Sequence, residues 1–145
     1  MLRWIVNLKR ALFRDKGREN KLALRTKLVL RAQEELGVKF PREYFEYLVD
    51  PPENVWVWDG HDHGIGALEP INEAARELLI EDGSECELKP TDLVIWMHQG
   101  YQFIFIPTDQ GDDPPVFFYT EGPPRAICPN AGRFEKIHDR LSEMI

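Results

Sequence analysis

Two short stretches hold side chains able to do chemistry. In Trp58-Asp-Gly-His-Asp-His-Gly64, His61 and His63 lie between Asp59 and Asp62. Imidazole and carboxylate suit a transition metal such as zinc or manganese, and such a site would support a metal-dependent hydrolase. A structural zinc site needs about four protein ligands and a catalytic one about three. His98 and His138 fall at no recognisable spacing from this pair. The flanking glycines favour a solvated turn, so no metal and no cofactor is assigned. In Thr108-Asp-Gln-Gly-Asp-Asp-Pro114, Asp109, Asp112 and Asp113 resemble a calcium loop only superficially. The alternating oxygen ligands and the closing bidentate glutamate are missing. A hairpin turn that brings carboxylates to its tip is the better reading.

Other catalytic signatures are missing. Cys86 and Cys128 have no histidine at a motif spacing, and two cysteines make a poor disulfide framework for a chain of 145 residues. They read as incidental thiols of an intracellular, cytoplasmic protein. Neither a nucleophile elbow nor a phosphate-binding or dinucleotide glycine loop occurs. The chain is therefore expected to bind rather than to catalyse.

Charge is informative about the partner. The net charge is −7, but residues 1–31 hold ten Lys/Arg against two Asp/Glu and the remainder eight against twenty-three. The body of the protein is thus strongly acidic, which repels nucleic acid and attracts basic proteins. Asp109, Asp112, Asp113 and Glu121 are the candidate contacts, taken as neighbours at one loop tip. Trp56 and Trp58 alternate with Val55 and Val57. They are either a paired interface anchor or packed beneath a helix.

The elements that must position these residues follow from periodicity. Trp4, Ile5, Leu8, Ala11 and Leu12 share one face of a basic amphipathic helix over 3–13, with Arg3, Asn7, Arg10 and Arg14 opposite. Asp15-Lys-Gly17 is expected to break it. This extension, residues 1–18, has three possible roles: docking on the domain or a partner, self-association, or peripheral contact with an anionic membrane through residues 3–14. No apolar run is long enough to span a bilayer. A second helix over 19–36 carries Leu24, Leu28, Ala32 and Leu36 and stops at Gly37. Pro41 opens a short helix, Val55–Trp58 reads as a strand, and Gly64–Leu68 as an extended piece. Pro70 opens a helix reaching Ile80. Leu93–His98 and Tyr101–Ile106 form a hairpin about Gln99-Gly100, with His98 opposite Tyr101 and Trp96 opposite Phe103. Both hairpin faces are apolar, which places it mid-sheet. Pro115–Tyr119 is a further strand. A closing helix is expected from Arg133, with Phe134, Ile137, His138, Leu141 and Ile145 on one face. The order implies an α+β domain over 19–145, its central and mainly antiparallel sheet packed against helices.

Three stretches resemble the SUKH superfamily. They are Ala32-Gln-Glu-Glu-Leu-Gly-Val-Lys-Phe-Pro-Arg-Glu-Tyr-Phe-Glu-Tyr-Leu48, the aromatic strands and Gly-Asp-Asp-Pro turn of Phe103–Tyr119, and Phe134–Ile145. Asp50-Pro-Pro-Glu-Asn54 departs from the family's glycine-rich turn, and only Gly100 stands between the two central strands. The resemblance implies a protein-binding function. Bacterial members look like immunity proteins that neutralise a toxin, often a nuclease. Fungal members resemble regulatory scaffolds of cell-wall synthesis. A basic toxin domain is the expected partner, and occlusion of its substrate groove the expected mechanism. The resemblance brings no catalytic residue with it.

Overall fold

The computed structural model describes residues 2–53 and 62–145, with side chains over 15–53 and 63–145. Among the described residues three helices accompany a five-stranded antiparallel sheet of order β1-β2-β3-β4-β5. This is the α+β class that the element order predicts.

Helix α1 runs from Leu2 to Leu36 without interruption. The break expected at Asp15-Lys-Gly17 does not occur. One glycine costs about 1 kcal/mol in a helix interior, and the strong helix formers on either side outweigh that. At the other end Gly37, with φ 66°, forms the expected stop. Gly37 N–H donates to Glu34 and Val38 N–H to Gln33, at 3.3 and 3.2 Å. Those two bonds satisfy carbonyls the helix leaves open. The Gln33 side chain then accepts Phe40 N–H at 2.7 Å, which turns the chain into α2, Arg42–Val49. Val29 and Ala32 of α1 pack with Tyr44 and Leu48 of α2 in the core.

Among the described residues strand β1 is Asp62–His63, followed by one 3-10 turn at Ile65–Ala67. Helix α3 covers Leu68–Glu81. It begins before Pro70 rather than at it, because a first-turn residue needs no N–H partner. Its buried side chains are Leu68, Ile71, Asn72, Ala75, Leu78 and Leu79.

Strands β2 (Asp92–His98) and β3 (Gln102–Pro107) lie at the centre and are buried almost throughout. Their hairpin differs from the two-residue expectation. Gln99 and Gly100 both have positive φ, and Tyr101 joins the loop, so His98 pairs with Gln102 and Trp96 with Ile104. A bulge at Ile95 absorbs the extra residue, and from Val94↔Phe105 onward the register is the expected one. Trp96 thereby moves to the face of Leu93, Ile104 and Ile106.

Strand β4, Val116–Thr120, pairs with β3 through Phe105↔Phe117 and Phe103↔Tyr119. The expected closing helix is absent. Glu135–His138 form β5 on the outer edge of β4, and Leu141–Glu143 form a single 3-10 turn. An unpaired β4 edge would leave a row of backbone donors and acceptors open, and β5 covers it. Phe134 packs on Phe103, Phe105 and Tyr119, while Leu141 is fully buried and donates its N–H to Pro114 at 2.8 Å. Tertiary contacts thus override a helical spacing.

Candidate protein-binding surface

The structure separates the four expected carboxylates. Asp109, Asp112 and Asp113 lie in the β3–β4 loop, whereas Glu121 follows β4 at its far end, where its N–H donates to Tyr101 at 3.0 Å. A five-residue strand lies between, which is ~17 Å. The loop's charge is also partly committed. Asp113 accepts Ser142 N–H at 2.8 Å and Ser142 Oγ–H at 2.6 Å. Slight burial pushes its carboxyl up, but the Ser142 hydrogen bonds and nearby Arg140 outweigh this and hold it below the usual range. The Asp112 carboxylate lies 3.9 Å from Arg42, and its carbonyl accepts Glu43 N–H at 3.1 Å. Asp109 is exposed. Trp56, Trp58, Asp59 and His61, and the expected strand at 55–58, lie outside the described residues. His63 sits in β1 opposite Trp96. Among the described residues no group of three or more His, Cys, Asp or Glu is arranged to hold a metal. Cys86 and Cys128 are free, half-buried thiols, and Cys86 Sγ–H donates to Gly132 at 3.8 Å.

A stronger acidic surface lies on α3. Glu69, Glu73, Glu77 and Glu81 are exposed and spaced i, i+4, so they form one stripe. Among the described residues none of them enters an ion pair. Arg76, on the same helix, is turned away and donates to the Leu88 and Lys89 carbonyls at 3.2 and 3.3 Å. Glu85 and Glu87 extend the acidic character into the next loop, both exposed. Ile80 stands within the stripe and is 80% exposed.

The C-terminal end of α3 is joined to the β4–β5 loop by Asp82. Its carboxylate accepts the Tyr119 hydroxyl and, at 3.1 Å, the Gly122 N–H. Burial and then this hydrogen bond push the Tyr119 phenol up to about 12. Ser84 Oγ–H adds a bond to Gly132 at 3.3 Å. Gly132, at φ 76°, approaches so closely that a Cβ there would lie 2.9 Å from the Gly122 carbonyl oxygen. The joint places Glu121 beside the α3 terminus. It also fixes the loop that presents Ile127, which is 89% exposed. That residue sits in a turn closed by reciprocal Arg125–Cys128 hydrogen bonds, each 3.0 Å. Ile80 is a bare isoleucine amid the α3 glutamates, whereas Ile127 lies with Glu121 and Arg125 around a separate hollow.

The model of the SMI1 / KNR4 family (SUKH-1) matches residues 24–144. The chain belongs to this family. Its SUKH relatives include toxin-immunity proteins and cell-wall regulators, generally binding proteins without catalytic activity. No curated protein and no solved structure matches the chain. The SUKH match begins inside α1 and takes in both the β3–β4 loop and the α3 surface. Of the expected contacts among the described residues, Glu121 comes nearest the α3 terminus, through the Gly122–Asp82 bond. The glutamates at 69, 73, 77 and 81 were missed although their spacing is plain in the sequence. Ile80 falls on the glutamate face by helical spacing, whereas Ile127 lies in a loop whose path depends on the distant joint at Asp82.

Proposed function

We propose that this chain is an immunity protein that binds a cognate basic toxin domain inside the cell and occludes its substrate groove. The α3 surface carries the reading: a stripe of unpaired glutamates around exposed Ile80, with Glu121 next in the chain to Gly122, which is bonded to Asp82 at the helix end. A toxin that acts on nucleic acid carries a basic groove. Charge complementarity speeds encounter with such a groove and sets register, and Ile80 supplies an apolar anchor. The chain acts by binding rather than catalysis. The β3–β4 loop, through Asp109 and Asp112, forms a second and weaker contact region.

The test is a pull-down from the source cells with the parent chain and two variants in parallel, followed by salt-dependent binding to the protein recovered. Glu77→Lys/Glu81→Lys/Glu121→Lys is expected to weaken binding at least tenfold and flatten its salt dependence. Asp109→Lys/Asp112→Lys is expected to change it by less than threefold. Equal capture by all three chains sinks the assignment of the surface. Recovery of cell-wall regulatory machinery instead of a toxin replaces immunity with a scaffold role.

A further inference from the structure

The C-terminal half of α3 and the segment Ser84–Leu88 border a cleft of about 440 Å³. Leu79 and Leu88 of the core line it, together with half-buried Cys86 and with Ile80 at its helix rim. Arg76 lines it too, but the Leu88 and Lys89 carbonyls engage its guanidinium, at 3.2 and 3.3 Å. What Arg76 offers the cleft is therefore its methylene stem. Glu85 and Glu87, on the loop side, are exposed and enter no ion pair among the described residues. On the helix side Glu77 stands one turn before Ile80 and is likewise exposed. The result is an apolar hollow with carboxylates on both sides. No polar side chain among its lining residues is buried, and pockets for free small ligands rely on a few such groups and span ~300–1,000 Å³. A small, open cleft without them suits one side chain of a larger molecule.

We propose that this cleft seats a large apolar side chain of the partner, Leu, Met or Phe, carried between Lys or Arg residues. The inference rests on the reading of α3 as the face that receives a basic protein, and it adds what that protein must present there. The apolar side chain covers Leu79, Ile80, Leu88 and the Arg76 stem. Its basic neighbours then lie over Glu77 on one side and over Glu85 and Glu87 on the other. The two kinds of contact do different work. Charge speeds encounter and sets register, whereas an apolar anchor in a desolvated hollow slows release, the step in which related complexes differ most. A basic surface without the anchor is captured quickly and lost quickly. A nucleic acid or an acidic segment would meet the same carboxylates as repulsion.

The test is NMR titration of the isotope-labelled full chain with three end-blocked peptides, Lys-Lys-Phe-Lys-Lys, Lys-Lys-Ser-Lys-Lys and Glu-Glu-Phe-Glu-Glu. The first is expected to shift the amides of Ile80 and residues 85–88 and to bind at least tenfold more tightly than the second. The acidic peptide should shift none of them. Ile80→Ser and Glu85→Lys/Glu87→Lys change exposed side chains only, so both variants keep the parent's spectrum elsewhere. Ile80→Ser should narrow the preference for Phe over Ser at least threefold, and Glu85→Lys/Glu87→Lys should weaken both cationic peptides at least tenfold. Equal binding of the Phe and Ser peptides overturns the cleft and leaves the charged face of α3 standing. A preference that survives both variants overturns it too, as do shifts confined to other surfaces or no binding at all. The toxin reading fails by a different result, the identity of the protein recovered in the pull-down, which leaves these peptide outcomes unchanged.

Discussion

Asn72 should be the most sensitive polar position in the domain. Its side chain lies in the core, 8% exposed, and bonds both backbone groups of Val94. Asn72 Nδ2–H donates to the Val94 carbonyl and Val94 N–H donates to Asn72 Oδ1, each at 2.8 Å. Val94 adjoins the bulge, and β1 ends at His63, opposite Trp96, before reaching it. The amide of Asn72 thus takes the place of a missing strand residue. Asn72→Ala leaves two buried backbone groups without partners, at ~1–3 kcal/mol each. The Leu68 carbonyl, which Asn72 also bonds at 2.8 Å, remains satisfied inside α3. The expected loss is therefore about 2–6 kcal/mol, from a total stability that for such a domain is ~5–15 kcal/mol. For a chain of this size that lowers Tm by roughly 2–4 °C per kcal/mol. Urea unfolding followed by circular dichroism measures the loss, and amide hydrogen exchange shows whether Val94 N–H becomes unprotected. A variant within 1 kcal/mol of the parent, with Val94 still protected, would refute the role given to this amide.

Three further outcomes are expected. The Tyr44 hydroxyl is buried without a hydrogen-bond partner among the described residues, so Tyr44→Phe should be neutral or stabilise by up to ~1 kcal/mol; a clear loss in urea unfolding contradicts this. Tyr119 ionises near pH 10 when unfolded and at about 12 when folded, so its contribution is intact below pH 10 and is lost as pH rises toward 12. Tyr119→Phe should reduce the fall in urea midpoint across that window, and an unchanged slope counts against the Asp82 bond. Asp113 has a lowered folded pKa, so its contribution is present above the unfolded value and is lost as pH falls through the folded one. Asp113→Ala should remove hydrogen-exchange protection at Ser142 while leaving β3 protected, and unchanged protection at Ser142 contradicts the contact.

Local signals were legible wherever one element decided its own structure. The stop at Gly37, the short helix after Pro41 and the pairing of the two central strands follow from spacing and turn chemistry, although Leu24 and Leu28 of the expected stripe are exposed and the hairpin loop takes in Tyr101. What escaped depended on distant partners. The bulge at Ile95 coincides with the Asn72 amide at Val94, twenty-two residues away in sequence. Strand β5 forms because β4 has an open edge, although Phe134, Ile137 and Leu141 are spaced as in a helix. The Asp109–Asp113 loop read as free charge because Ser142 and Arg42, which engage it, are remote in the chain. The α3 glutamates could have been read, but a dispersed i, i+4 pattern draws less notice than three aspartates in five residues.

The composition of α3 bears on the proposal that its surface receives a partner. Like charges at i, i+4 destabilise a helix by ~0.2–0.5 kcal/mol per pair, and Glu69, Glu73, Glu77 and Glu81 make three such pairs. Lysine at one of these positions would relieve the repulsion without disturbing the core. The helix tolerates it because Asn72 pins its first half to β2 and Asp82 fastens its end to the β4–β5 loop. A basic partner relieves the repulsion on binding and finds the carboxylates already held on a rigid element, so little conformational entropy is lost. The same reasoning separates α3 from the Asp109–Asp113 loop, where Asp112 and Asp113 already have partners within the chain. A competing partner must first displace those contacts, whereas on α3 it displaces only water.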